Sequence, residues 1–203
     1  EEKEKCIMSG GVDLRDELTF TLDGDDTKDY DDAITIKRVG NNYNLKVSIA
    51  NVSYYVRPDT NILLEAILRG TSTYIPGANN PMLHRKLSNG ICSLNPNEDR
   101  MALTFDLLFN QEGEVIDFDI YDSIINSKKR MTYSEVNRIL EDSQMVEGYE
   151  TYAENIRLME ELQSKIRKNK VRNGYIDLEI EENVIELDEN GRPCNIHVKT
   201  RGI

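Results

Sequence analysis

Six aspartates fall within ten residues near the start of this 203-residue chain, at Asp23, Asp25, Asp26, Asp29, Asp31 and Asp32. Carboxylates this close together repel one another, so a folded protein keeps them ionised only in water or beside cations. Carboxylate oxygens are ligands that hard divalent cations such as magnesium and manganese prefer. The segment therefore predicts a divalent metal site.

Four of these aspartates are spaced so that they could converge on one or two cations. Asp29, Asp31 and Asp32 would share a tight turn or strand end, and Asp23 would return from the facing strand. Phosphoryl chemistry uses such sites, where one ion helps to activate water for in-line attack and another stabilises the leaving oxygen. Asp25 and Asp26 would lie at the tip of the link and face water.

Three other interpretations of the segment stay open on spacing alone. An EF-hand calcium loop needs Gly at its sixth position, but Lys28 or Tyr30 stands there, depending on the starting residue. The triplet Asp29-Tyr30-Asp31 matches the Asp-x-Asp pattern of metal-dependent sugar transferases, which is short enough to be common by chance. The plainest alternative is an acidic hairpin tip that is solvated and binds nothing.

The composition limits the class of protein. Apolar residues make up 38% and charged residues 31%, which is typical of a soluble globular protein. There is no run of 18 apolar residues and no signal-peptide pattern, so we expect no membrane association. The three cysteines lie far apart without a Cys-x-x-Cys pair, which argues against a disulfide framework or a thiolate zinc site and favours the cytoplasm.

The charge of the chain is concentrated near its start. The net charge is −12, and residues 1–32 contribute −8 of it. A polyanionic substrate would therefore need metal ions, or basic modules outside this chain, to bind near the aspartates. The two histidines, His84 and His197, are isolated from each other and are interpreted as ordinary structural or surface residues.

The elements around the aspartates are predicted to be antiparallel hairpins with separate helices. Predicted strands are 18–22, 33–38, 43–50, 101–109, 114–126, 175–180, 184–187 and 194–199. Predicted helices are 59–69, about ten residues from Thr132, and 149–170, where apolar residues recur at helical spacing. This order predicts an α+β fold with an antiparallel β-sheet and packed helices. Residues 1–12 are expected to form a flexible leader, and residues 13–203 to form one domain.

The sequence motifs around the aspartates resemble the signature of the ribonuclease II/ribonuclease R family, whose catalytic unit is the RNB domain. The matching motifs follow the order of the family: Asp13-Leu-Arg-Asp16, Thr21 to Ala33, Ser48 to Val56, Arg69 to Gly77, Pro81-Met-Leu83, Leu87 to Pro96 and Arg130-Met-Thr-Tyr133. The Val-Ser-Tyr-Tyr-Val and Cys-Ser-Leu-Asn-Pro motifs are closer to the ribonuclease R branch than to ribonuclease II.

The resemblance implies that residues 13–203 are the N-terminal portion of an RNB catalytic domain. It also implies the family's activity, that of a hydrolytic 3′-to-5′ exoribonuclease that acts on single-stranded RNA and releases nucleoside 5′-monophosphates. It implies magnesium, with manganese as a substitute, and it places the four acidic site residues on Asp23, Asp29, Asp31 and Asp32, with Asp31 the most sensitive. Tyr74 would stack on the terminal nucleotide and Tyr133 would lie near the RNA path. Aromatic faces suit a sequence-independent nuclease because every base has a π-surface.

Two departures from the family pattern qualify this expectation. Asn51 stands where the family usually has Asp in Ile-Ala-Asp, so a non-catalytic RNA-binding or scaffold protein with the same fold is the alternative. The family domain also continues beyond this length to an arginine that contacts the scissile phosphate, and cold-shock and S1 domains flank it. We therefore expect the isolated chain to be a monomer that is weak or inactive as a nuclease.

Overall fold

The computed structural model of the chain describes residues 2–142, 144–176 and 182–199. The strands are β1 (Val12–Asp23), β2 (Asp32–Val39), β3 (Asn42–Ala50), β4 (Thr73–Ile75), β5 (Ala78–Asn80), β6 (Asp99–Phe109), β7 (Val115–Thr132), β8 (Glu182–Leu187) and β9 (Pro193–Lys199). The α-helices are α1 (Glu2–Met8), α2 (Val52–Tyr55), α3 (Asn61–Arg69), α4 (Tyr133–Leu140) and α5 (Ala153–Arg172), and short π-helical and 3₁₀ turns occur at Leu87–Ile91 and Glu150–Tyr152. Over the described ranges, no helix has the length and apolar character needed to cross a membrane.

Five strands close into a barrel in the order β1-β2-β3-β6-β7. The pairs β1–β2, β2–β3, β3–β6 and β6–β7 are antiparallel. The barrel closes through a parallel pair of β1 and β7, in which Val12 lies opposite Ser123. The α+β class is confirmed, and the predicted antiparallel sheet closes into a barrel through one pair that is parallel rather than antiparallel.

Glycines set both hairpins of the barrel. Gly40, between β2 and β3, has a φ of +59°, and Gly113, between β6 and β7, has a φ of +74°. A Cβ atom at Gly113 would also lie 2.5 Å from the backbone carbonyl carbon of Lys165 in α5. Glycine is therefore required at position 113 both for the turn and for the close approach of α5.

Successive residues of each barrel strand face opposite sides of the wall. On one side, buried barrel residues that include Phe20, Ile36, Tyr43 and Met131 pack with Val136 of α4 and Ile156 of α5. On the other side, buried hydroxyls share hydrogen bonds, Thr19 with Thr35 at 2.7 Å, Ser48 with Thr104 at 2.8 Å and Thr104 with Ser123 at 2.7 Å. These pairs satisfy polar groups that would be costly to bury alone.

The predicted helices are present in the structure, whereas the start of the chain differs from its prediction. Thr132 caps α4, and its Oγ accepts a hydrogen bond from the backbone N of Glu135. Residues Glu2–Met8 form α1, with Cys6 buried, instead of the expected flexible leader. The strand predicted at 175–180 falls mostly outside the described residues, whereas the last two predicted strands pair as β8 and β9.

Candidate active site

The aspartates lie on the link between β1 and β2, and this link is tied to a distant part of the chain. Asp23 ends β1 and Asp32 begins β2. Between them, Tyr30 is buried, and its backbone N donates to Ser93 Oγ at 3.0 Å. The carbonyl of Tyr30 accepts a hydrogen bond from the backbone N of Leu94 at 2.9 Å. The Cys-Ser-Leu-Asn-Pro motif therefore holds the acidic link in place.

Arg130 holds the other half of the link. Its Nη2 donates to the backbone carbonyls of Gly24 at 3.2 Å and Asp25 at 2.5 Å, and its guanidinium lies 5.7 Å from the ring centre of Tyr30. Neither Ser93 nor Arg130 was identified as a site residue from its chemistry. The only signal for them was their place in motifs that match the family, since their partners are more than sixty residues away.

Asp23 is the aspartate with the most unusual surroundings. Its Oδ2 atom is buried and has no hydrogen-bond partner among the described residues. Burial and the negative charges of Asp32, Asp31 and Asp29 together raise the pKa of Asp23 to about 6, and the charge of Arg130 opposes them. The ionised form of Asp23 is therefore poorly compensated by the protein itself.

Asp31 is exposed but lies near the same charges. Its pKa is also raised, first by desolvation against the surrounding protein and then by the charges of Asp29 and Asp32. The charges of Asp29 and Asp32 thus lie close enough to oppose the ionisation of both Asp23 and Asp31. In the part of the chain that the structure describes, however, no three acidic, His or Cys side chains have the arrangement of a metal site. The expected convergence on a cation is therefore not present in the side-chain positions.

The donor set nevertheless fits a hard divalent cation. The four groups offer carboxylate oxygens, and Asp23 Oδ2 lacks a donor. A cation would supply the positive charge that this cluster lacks, because within the described ranges Arg130 is the only cation that lowers the pKa of Asp23. Side-chain rotation would be needed for the carboxylates to close on an ion.

The remaining two aspartates of the segment, Asp25 and Asp26, are exposed, as the sequence predicts. Asp25 Oδ1 accepts a hydrogen bond from Ser134 Oγ at 2.6 Å, which links the tip of the acidic link to α4. Asp26 has no hydrogen bond or ion pair within the described residues. It is therefore a suitable control position for the charge of the cluster.

Both predicted RNA-contacting tyrosines lie beside the aspartates. Tyr74 is 67% exposed, and its hydroxyl donates to Asp29 Oδ2 at 3.2 Å. Tyr133, the first residue of α4, is 56% exposed. Partial burial raises the pKa of both hydroxyls, and Asp29 raises that of Tyr74 while Asp23 and Asp32 raise that of Tyr133. Each ring thus stands next to the carboxylates with an accessible face.

A cavity of about 1200 Å³ joins these groups, and we call it the acidic cavity. Its lining includes Asp29, Tyr74, Tyr133, Arg85 and His197. His197 comes from β9, and its Nδ1 lies 3.2 Å from Glu186 Oε1. Asp23, Asp31 and Asp32 are not part of the lining. The structure therefore places one predicted ligand in the cavity wall and the other three next to it.

Asn51, the departure from the family pattern, has a structural role. Its Oδ1 accepts hydrogen bonds from Tyr54 N at 3.2 Å and Ser53 Oγ at 2.9 Å, which caps α2. Its Nδ2 donates to Asp122 Oδ1 at 3.0 Å. An aspartate at this position would face Asp122 with a like charge. The amide is therefore explained locally and is no sign of a decayed site.

The fold and the site together define a barrel domain that presents a carboxylate cluster beside an aromatic-lined cavity. The RNB domain family matches residues 12–203 of the chain. The chain belongs to this family, and its α+β fold and motifs are those that the resemblance predicted.

Individual relatives agree with this assignment. Ribonuclease R of Thermotoga maritima is 42% identical over 201 residues, which cover 98% of this chain and 28% of that protein. The structure of the apo form of Mycoplasma genitalium RNase R superposes with a TM-score of 0.93 at 32% identity, covering 98% of this chain and 31% of that one. The same enzyme has been solved with ribose methylated single-stranded RNA. The chain thus spans less than a third of the length of these relatives.

The fold alone does not decide whether a member is catalytic. Yeast Ssd1, described as a pseudonuclease, superposes with a TM-score of 0.70 at 12% identity, covering 83% of this chain and 20% of that one. At this identity the likeness concerns the fold only. The case for catalysis must come from the side chains of the site.

Proposed function

We propose that the full-length protein is a hydrolytic 3′-to-5′ exoribonuclease that degrades single-stranded RNA and releases nucleoside 5′-monophosphates. The observation that carries the proposal is the unpartnered, buried Oδ2 of Asp23 beside three further carboxylates. A purely structural carboxylate would have a donor there. The ribonuclease R relatives and the RNA complex of one of them support the choice of RNA as substrate.

Asp23, Asp29, Asp31 and Asp32 are the residues that would hold magnesium, with manganese as a substitute. When bound in such a site, divalent cations help to activate water and stabilise the leaving oxygen of a phosphodiester. The hydrogen bonds of the link to Ser93, Leu94 and Arg130 keep its carboxylates together in spite of their repulsion. The protein therefore supplies a backbone that holds the four carboxylates near one another, from which their side chains would rotate onto an ion.

The aromatic rings would hold the RNA end without reading its sequence. Tyr74 has an accessible ring face, and its hydroxyl is anchored on Asp29, so a stacked base would lie next to the carboxylates. Tyr133 stands on the same cavity and would contact the strand nearby. Stacking on aromatic side chains tolerates every base because each has a π-face.

The charge of the chain indicates that RNA binding needs further modules. A net charge of −12, concentrated around the site, opposes the approach of a polyanion. We therefore include flanking cold-shock and S1 domains in the proposal, together with a monomeric protein that works in the cytoplasm. The three cysteines, Cys6, Cys92 and Cys194, are free, which suits a reducing compartment.

The test is Asp31→Asn in the full-length protein, with Asp26→Asn as the matched control. We expect Asp31→Asn to lower the rate of mononucleotide release by about a hundredfold or more, since it removes one charge from the cluster. Binding of single-stranded RNA without divalent metal should change little, and Asp26→Asn should leave both quantities unchanged. Hydrolysis is measured by chromatography of released nucleotides, and binding by fluorescence anisotropy.

Two results would contradict the proposal. If Asp31→Asn lost RNA binding and folding together with hydrolysis, Asp31 would be structural. If the wild-type protein bound RNA but released no mononucleotide with magnesium or manganese, the protein would be a non-catalytic RNA-binding or scaffold member of the family.

A further inference from the structure

Arg85 occupies the boundary between two cavities. It lines the acidic cavity, and it also lines a second cavity of about 680 Å³ beside α3, which we call the α3 cavity. Asn79 is in the lining of both cavities as well. The α3 cavity has the size of a typical ligand site, and the acidic cavity is larger. A strand that left the acidic cavity toward α3 would therefore pass Arg85.

The guanidinium of Arg85 is oriented but not neutralised. Its Nη2 donates to the backbone carbonyl of Asn79 at 3.1 Å and to Asn79 Oδ1 at 2.8 Å. Within the described residues it forms no ion pair, and its Nε and Nη1 have no acceptor. In contrast, several other arginines pair with carboxylates, namely Arg15, Arg38, Arg69, Arg100 and Arg172.

The anchor of Arg85 is connected to the site. Asn79 of β5 lies directly opposite Tyr74 of β4, and the Tyr74 hydroxyl donates to Asp29. Opposite residues of an antiparallel pair are about 5 Å apart. The two short strands therefore fix the position of the guanidinium relative to the ring proposed to stack on the terminal base.

We propose that Arg85 binds a backbone phosphate of the RNA where the strand passes from the acidic cavity into the α3 cavity, upstream of the nucleotide held by Tyr74. The inference rests on the proposed exoribonuclease function. The Nε and Nη1 groups of Arg85 have no acceptor among the described residues, so they can donate charge-assisted hydrogen bonds to phosphate oxygens. The neutral anchor matters, because the amide of Asn79 orients the guanidinium without competing with the phosphate for its charge.

The experiment compares Arg85→Gln with Arg172→Gln in the full-length protein. Both substitutions remove one positive charge, but Arg172 is on α5, is paired with Glu114 and lines neither cavity. The probes are a fluorescent single-stranded RNA of about ten nucleotides and a dinucleotide, in buffer with chelator so that binding is measured without hydrolysis.

For the longer RNA, we expect Arg85→Gln to raise Kd about tenfold and to reduce the slope of log K against log salt by about 0.7. Arg172→Gln should leave both values unchanged. Arg85→Lys should restore the salt slope but only part of the affinity, because it keeps the charge and loses the fork. The dinucleotide should lose less affinity than the longer RNA, because its single phosphate adjoins the nucleotide held by Tyr74, whereas the phosphate proposed for Arg85 lies farther upstream.

Equal Kd values for Arg85→Gln and Arg172→Gln with the longer RNA would overturn the inference. An equal loss of affinity of Arg85→Gln for the dinucleotide and for the longer RNA would also overturn it, because Arg85 would then contact the terminal nucleotide. Hydrolysis by the wild-type protein with magnesium is measured in parallel. If the wild type degrades RNA and Arg85→Gln binds normally, only this inference fails. If the wild type degrades nothing, the proposed function fails irrespective of Arg85.

Discussion

Asp106 and Asp23 are both partly buried carboxylates of the same barrel, but their surroundings are opposite. Asp106 receives hydrogen bonds from Asn44 Nδ2 at 2.5 Å and the Tyr121 hydroxyl at 2.9 Å, and Lys46 Nζ lies 3.2 Å away. Although burial opposes ionisation, these donors lower the pKa of Asp106. Asp23 has an unpartnered Oδ2 and a pKa raised to about 6.

The difference separates a carboxylate that serves the fold from one that is kept for a ligand. The charge of Asp106 is compensated within the chain, so its ionisation and folding support each other. The charge of Asp23 is opposed by three like charges, so its ionisation weakens the fold until a cation arrives. Functional sites often carry such a cost in stability.

The largest expected effect comes from removing the compensation of Asp106. Lys46→Met should destabilise the 203-residue chain by about 3 kcal/mol, because it leaves a partly buried carboxylate without its cation. Urea denaturation at neutral pH measures the change. Lys37→Met is the matched control, since Lys37 is 49% exposed and pairs with Glu17 at 3.3 Å, and it should cost less than about 0.5 kcal/mol. A similar loss in both variants would remove the distinction between the two carboxylates.

The sequence predicts the ligand-seeking carboxylate better than the structural one. The sequence identifies four aspartates of the acidic link as candidate ligands, because carboxylates so close together along the chain repel one another: Asp23, Asp29, Asp31 and Asp32. The sequence contains no such signal for the network of Asp106. Its partners Asn44, Lys46 and Tyr121 come from β3 and β7 and contact it only through the register of the barrel.

The same limit applies to the fold. The hairpins and helices follow from local signals such as Gly40, Gly113 and the cap at Thr132. The parallel pairing of Val12 with Ser123 joins residues more than a hundred positions apart, and neither strand encodes its partner. The sequence does not identify Ser93 and Arg130 as anchors of the acidic link for the same reason, since their partners in the link lie more than sixty residues away along the chain.

The second prediction is that a substitution at the candidate site stabilises the protein. Asp23→Asn should raise the free energy of unfolding of the metal-free chain by about 1 to 2 kcal/mol at pH 7. This is less than the free energy that corresponds to the raised pKa, because solvent reaches part of the carboxylate. The folded pKa is raised from 3.8 to about 6, so the stability that Asp23 contributes is present below pH 3.8 and is lost as the pH rises through 6. The advantage of the variant should therefore vanish near pH 4.

Thermal and urea denaturation between pH 4 and pH 7.5 would measure this advantage, with Asp26→Asn as a control that should change stability by less than about 0.5 kcal/mol. Millimolar magnesium or manganese should stabilise the wild type and reverse the ranking. A destabilised Asp23→Asn at pH 7 without metal would mean that Asp23, like Asp106, serves the fold.

The smallest expected effect concerns the hydroxyl of Tyr74, the one hydrogen-bond donor to Asp29 among the described residues. Tyr74→Phe removes the hydroxyl that donates to Asp29 Oδ2 but keeps the ring, and the residue is largely exposed, so the chain should lose less than about 0.5 kcal/mol. In the full-length protein the affinity for single-stranded RNA should stay within about twofold, because stacking depends on the ring, whereas Tyr74→Ala should weaken binding by about tenfold. If Tyr74→Phe instead matched Tyr74→Ala in binding, the hydroxyl would be the contact, and Asp29 would be held for the fold in the manner of Asp106 rather than left for a cation.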